Sequence, residues 1–129
     1  MLIRNPEQTQ ARPMDMPGAS GVTMRLMVSS DDGAPNFAMR IFEVQPGGHT
    51  PRHQHNYEHE IMILEGQAHV GTSEDETEDT TAKAGDVLFI PANQTHQFRN
   101  TSQDVLKFMC MVPTEFDCGG ESAPTPGSF

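Results

Sequence analysis

The stretch that decides the fold is His53-Gln54-His55-Asn56-Tyr57-Glu58-His59-Glu60. It holds three of the chain's six histidines. Side chains on a strand alternate faces, so His53, His55 and His59 share a parity and face one side if the strand stays regular. A single inward imidazole would be an ordinary hydrogen-bonded core residue. Three on one interior face would repel one another if protonated and would leave ring nitrogens unsatisfied if dry. A divalent metal removes both difficulties, because neutral imidazole is a good ligand.

A second cluster follows: Gly85-Asp86-Val87-Leu88-Phe89-Ile90-Pro91-Ala92-Asn93-Gln94-Thr95-His96-Gln97-Phe98-Arg99-Asn100. Alone, His96 after a Pro-containing turn reads as a surface residue. Beside the first cluster it reads as one more ligand. The two stretches resemble the paired motifs of the cupin superfamily, G-x5-H-x-H-x3,4-E-x6-G and G-x5-P-x-G-x2-H-x3-N. Gly47, His53, His55, Glu60 and Gly66 fill the first, with the last gap one residue short. Gly85, Pro91, His96 and Asn100 fill the second, with Asn93 in place of the middle glycine. Asn tolerates a positive φ, so that change is mild.

The resemblance implies an all-β fold: a single cupin barrel, a double-stranded β-helix or jelly roll, over residues 34–113. Residues 37–44, Tyr57-Glu58-His59-Glu60 and the Gly66 turn are similar to the small one-domain cupins that bind manganese through four histidines. That implies His53, His55, His59 and His96 as ligands of one divalent ion per chain. Mn(II) is favoured by the resemblance, while Fe, Cu, Ni and Zn also suit imidazole. Glu60 is the competing ligand, or a residue that supports the ligands from behind. Neighbouring strand residues face opposite ways, and parity with His53 and His55 favours His59.

Four neutral ligands have two meanings. A closed tetrahedral zinc site is structural. A six-coordinate ion in a barrel mouth keeps two positions open, with its +2 charge uncompensated, and favours anionic ligands such as a carboxylate or an enolate. Several residues are candidates for the pocket. Arg40 interrupts an apolar strand and could bind an anion or lie at an edge. Phe98 shares the parity of His96. Phe108 and Cys110 share one face of the last strand. Tyr57 or Glu60 could serve as a base. His49 and His69 lie outside both motifs and read as structural or solvated.

Outward from the motifs, turn residues separate short strands at 22–28, 37–44, 53–64, 67–72, 80–82, 87–90, 96–98 and 105–112, a sandwich or barrel pattern. Pro46-Gly47-Gly48 is expected to end the second of these. Residues 1–33 read as an N-terminal arm carrying one strand, able to pair at an edge or across a dimer. Residues 73–79 form an acidic hairpin tip, and residues 114–129 a flexible tail.

The 129 residues suit one domain. Ten prolines and eleven glycines disfavour long helices. Eight basic residues against eighteen acidic ones argue against nucleic acid and anionic membrane surfaces. No run is long and apolar enough for a membrane span, and no signal-peptide pattern opens the chain. Two cysteines, Cys110 and Cys118, are too few for a disulfide framework and suggest a cytoplasmic protein. The expected partners are a small anionic or enol-like molecule and a second copy of the chain.

Three functions fit. The leading one is a metal-dependent, dioxygenase-like oxidoreductase acting on a small organic molecule. The alternatives are a non-redox isomerase or lyase and a non-enzymatic module that binds a small ligand or a metal.

Overall fold

Apolar alternation is clearest in the last strand, and it organises the molecule. The structure, a computed structural model, describes residues 1–72 and 80–116. The acidic tip at 73–79, Cys118 and the tail from 117 onward lie outside the described residues. In β9 (Leu106–Pro113) the side chains of Leu106, Phe108, Cys110 and Val112 are buried, while Lys107, Met109 and Met111 take the other face. Such alternation commits one face to a core. β9 runs antiparallel between β3 (Phe37–His49) and β4 (His59–Glu65).

Further strands extend this sheet on both sides. β2 (Ser20–Val28) pairs with β3, and the short β1 (Arg12–Pro13) pairs with β2. On the other side β7 (Val87–Ile90) pairs with β4. A second layer begins where the end of β3 places His49 opposite Arg99 of β8 (Gln97–Arg99). β5 (Gln67–Gly71) lies beside β8, and β6 (Thr80–Lys83) beside β5. The result is an all-β jelly-roll barrel. Its interior is sealed by aromatic packing, with ring centroids of Phe42 and Phe108 5.2 Å apart and of Phe98 and Phe108 4.8 Å apart. Ile63, Val44 and Leu106 are fully buried beside them. Burying each such side chain contributes roughly 1.5–3 kcal/mol.

Two expectations about the strands are corrected. Pro46-Gly47-Gly48 does not end the second strand, which continues to His49. Gly47 N donates to Asn100 O and Asn100 N to Gly48 O, at 2.8 and 2.9 Å. A Cβ on Gly48 would stand 2.5 Å from Ser20 O. These residues therefore bend the strand from one layer into the other, with backbone pressed on backbone. Residues 53–64, expected to be continuously extended, form a strand only from His59. His53 makes an isolated bridge, and residues 54–58 are irregular. The register of the motif therefore comes from long-range hydrogen bonds rather than from regular alternation.

The strand expected at 22–28 begins two residues earlier, at Ser20, and lies on β3 of its own chain. Within the expected arm, Met14 is buried in the core and its N donates to Val22 O at 2.9 Å. Arg4 ties the arm down further, with both terminal nitrogens 3.0 Å from Asp32 carboxylate oxygens. No helix among the described residues is long and apolar enough to cross a membrane.

Candidate metal centre

Backbone hydrogen bonds join the two histidine stretches directly. His96 N donates to His53 O at 2.9 Å, and His53 N donates to His96 O at 3.2 Å. Asn93 N donates to His55 O. That last bond needs the turn after Pro91 to fold back, and Asn93 allows it by adopting φ of 69°. Thr50 braces the same wall: its hydroxyl accepts from Phe98 N, and its carbonyl accepts from Gln97 Nε2, both at 2.9 Å. Asn100 acts as a clasp, donating through Nδ2 to Val44 O at 2.9 Å and Asp104 O at 2.8 Å. Its place in the second motif is thus structural.

These bonds gather the imidazoles. Among the described residues, the ligand nitrogens of His53, His55 and His96 all lie within 4.8 Å of one another. His59 falls outside that trio by this measure. Its ring still packs on theirs, with centroids 4.9 Å from His55 and 5.2 Å from His96. His59 enters on β4, is 1% exposed, and sets Nδ1 3.1 Å from Cys110 Sγ.

The electrostatics favour the ligating form. Burial, then the charge of Arg40 and then the neighbouring histidines push His59 down to about 2. Burial also lowers His96, against the opposing pull of its bond to Gln94 O. In that bond Nδ1 must donate at 3.0 Å, because a carbonyl only accepts, so the lone pair of His96 is on Nε2. Neutral rings, close nitrogens and a buried His59 Nε2 that makes no hydrogen bond suit a divalent cation. The residues present therefore fit a metal.

A cavity of about 10 Å³, room for one water-sized species, lies against His59 and His96. Phe98, Phe108 and Cys110 line it. Phe42, Thr50 and Ile61 line it too and were not singled out in the sequence, although Phe42 and Ile61 share the inward parity of their strands. Arg40 does not line it. The guanidinium is fully buried behind Cys110, donating from Nη2 to Sγ at 3.4 Å and lying 5.0 Å over the Phe42 ring.

Glu60 is turned to the exposed face, away from its neighbour His59. A hydrogen bond with Glu58 raises it to about 7. Tyr57 covers His55 with near-parallel rings 4.7 Å apart, and Phe116 covers the other face of Tyr57 at 3.9 Å. Phe116 belongs to a 3-10 turn, Thr114–Phe116, inside the expected tail. Nothing local in the sequence marks that pairing. His49 and His69 lie outside the ring cluster, and His49 Nδ1 is 3.3 Å from Thr50 O.

The model of the cupin domain family matches residues 40–112, and the chain belongs to that family. It is 38% identical over 81 residues to the 1-methylthio-D-xylulose 5-phosphate methylsulfurylase of Rhodospirillum rubrum. The match covers 61% of the chain and 49% of that enzyme, so the chain spans about half of its length. It is 32% identical over 116 residues to the oxalate-binding protein of Thermotoga maritima, covering 87% of the chain and 93% of that protein. Among solved structures it is similar to the polyketide cyclase RemF of Streptomyces resistomycificus. The TM-score is 0.82 at 32% identity, over 88% of this chain and 80% of that one.

Proposed function

We propose that the chain binds one divalent metal ion through His53, His55 and His96, with His59 as the fourth ligand. We further propose that it acts there on a small molecule bearing a carboxylate, an enolate or a similar oxyanion. The observation that carries this reading is the trio of buried or half-buried imidazole nitrogens within 4.8 Å, with no carboxylate in the trio. Neutral ligands leave the ion's charge uncompensated, and the guanidinium of Arg40 behind Cys110 adds positive charge. Both favour an anion. Mn(II) rests on the resemblance to four-histidine cupins, and the same donors suit Fe, Cu, Ni and Zn.

A divalent ion there would supply Lewis-acid polarisation of a carbonyl or enolate oxygen. The chain's own residues do the rest. His53, His55, His59 and His96 hold the position, and the phenyl rings of Phe98 and Phe108 wall the inner cavity. That cavity is too small for an organic molecule, so a ligand approaches from the side covered by Tyr57. Tyr57 is the candidate base, since Glu60 faces outward. The reaction we favour is non-redox, of the isomerase, lyase or cyclase type. Relatives named as a polyketide cyclase and an oxalate-binding protein, with ligands rich in carbonyl or carboxylate oxygen, support it. The dioxygenase-like reading is second, supported by the same uncharged ligand set.

Metal analysis combined with two assays tests this. We expect about one divalent ion per chain, and solvent proton exchange into enolisable substrates without oxygen uptake. Oxygen uptake with the manganese or iron form would favour the dioxygenase. Stoichiometric zinc in a closed tetrahedral site would sink both. The same reading takes the protein as a cytoplasmic homodimer, supported by Cys110 forming no disulfide among the described residues and by the exposed apolar side chains Met62, Leu64, Val87 and Phe89 on β4 and β7. A monomeric mass in solution would refute the dimer.

A further inference from the structure

His59 stands between a sulfur atom and the other imidazoles. Its Nδ1 is 3.1 Å from Cys110 Sγ, and its buried Nε2 makes no hydrogen bond. A neutral imidazole has one N–H and one lone pair, so the position of one proton decides whether Nε2 can bind a cation. Two arrangements fit the short contact. In one, the Cys110 S–H donates to Nδ1, and the ring proton lies on Nε2. That leaves a buried N–H with no acceptor, a cost of about 1–3 kcal/mol. In the other, Nδ1–H donates to Sγ, and Nε2 keeps its lone pair.

Arg40 is compatible with both, because a guanidinium only donates and its Nη2 at 3.4 Å takes one lone pair of a thiol that keeps its S–H and a second lone pair. The unpaired ring N–H of the first arrangement costs more than the unpaired S–H, a weak donor, of the second, and this separates them. The strand register holds all three groups in place. Cys110 lies opposite Arg40 across the β3–β9 pair and opposite Ile61, two residues beyond His59, across the β4–β9 pair. Cys110 is 1% exposed and Arg40 0%, so bulk solvent does not reach the sulfur.

We propose that Cys110, held by Arg40, is a positioning residue that accepts the Nδ1 proton of His59 and so leaves its Nε2 lone pair to the metal centre. Elsewhere a carboxylate or carbonyl behind a metal-bound histidine plays this part, fixing tautomer and ring orientation. Here a thiol does so, and the contact from Arg40 Nη2 holds the sulfur in place. The inference deepens the metal-site reading and rests on it for its consequence, but the tautomer itself is a property of the metal-free chain.

Long-range proton–nitrogen correlation spectra of the chelator-treated, nitrogen-15-labelled protein read that tautomer directly. We expect His59 as the Nδ1–H form. An Nε2–H form in the unaltered protein would overturn the proposal. Cys110→Ser keeps an acceptor and should keep both the tautomer and metal affinity to within a few-fold. Cys110→Val removes the acceptor at similar shape; it should release the tautomer and weaken metal binding by about 10–100-fold. If Cys110→Val folds and retains the Nδ1–H form with unchanged affinity, the role assigned to Cys110 is wrong. Failure of the unaltered protein to take up manganese, zinc or cobalt would refute the metal reading instead, with the tautomer still measured.

Discussion

His59 and Glu60 are adjacent in the chain and opposite in environment. One is buried against Cys110, and the other is exposed beside Glu58. His59→Ala should therefore weaken metal binding by at least about tenfold, and Glu60→Ala should leave it nearly unchanged, as measured by metal titration. Protonation should show the same divide. The pKa values of His59 and His96 are lowered in the folded chain, so below an unfolded value of about 6.5 the unfolded chain binds more protons. Stability from these rings is complete above that pH and falls as pH drops toward their folded values. The metal-free protein should accordingly lose up to about 1.4 kcal/mol per pH unit per histidine below pH 6.5, as read by urea unfolding at pH 7.5 and 5.5. Glu60, raised to about 7, works in the opposite sense, but it is exposed and the effect is weak. The sequence reading separated His59 from Glu60 by parity with His53 and His55, but residues 54–58 are irregular, and the alternation that turns the two side chains opposite ways lies within β4 itself. The place of Arg40 was not legible in the sequence. Its charge inside an apolar strand was visible, but its partner Cys110 is 70 positions away and is set by pairing across β3 and β9.

At the scale of the elements, turn chemistry carries most of the information. The glycines of both motifs adopt positive φ, and Asn93 takes the same conformation in place of the missing glycine. Asn93→Gly should be nearly neutral, while Asn93→Ala should cost about 1–2 kcal/mol in chemical denaturation. Gly66 has φ of 77°, and an added Cβ would meet Val105 O at 2.6 Å. Gly66→Ala should cost more than the Asn93 change, since backbone strain and a collision with main chain add. These positions were readable because a tight turn leaves few residue choices. The bend at Pro46-Gly47-Gly48 was misread for a related reason. The same residues that end a strand also let it turn a corner, and only the partners on either side, Ser20 and Asn100, distinguish the two.

At the scale of the whole molecule, the core and the site share their walls. Phe108 stacks between Phe42 and Phe98 and also borders the cavity. Phe108→Ala should cost about 3–5 kcal/mol and visibly lower the melting temperature. A metal held by the native chain should act the other way. At a free concentration of about a hundred times its dissociation constant it adds roughly 2.7 kcal/mol, and a chelator should remove that increment in thermal unfolding. The barrel class was evident from strand spacing and the paired motifs. The stack of Phe116 on Tyr57 was not, because it joins the end of the described chain to a bend some sixty positions earlier.

The reciprocal bonds between His53 and His96 also bear on the order in which the chain folds. They close a loop of about forty residues, so chain entropy opposes them until most strands have paired. His53, His55 and His59 are near one another in any conformation, whereas His96 joins them only when the barrel closes. An unfolded chain thus already carries a local three-imidazole chelate, and an ion caught there gives it a stabilised state to leave. Refolding in excess zinc should be slower than refolding in chelator with metal added afterwards, as timed by stopped-flow fluorescence of Tyr57.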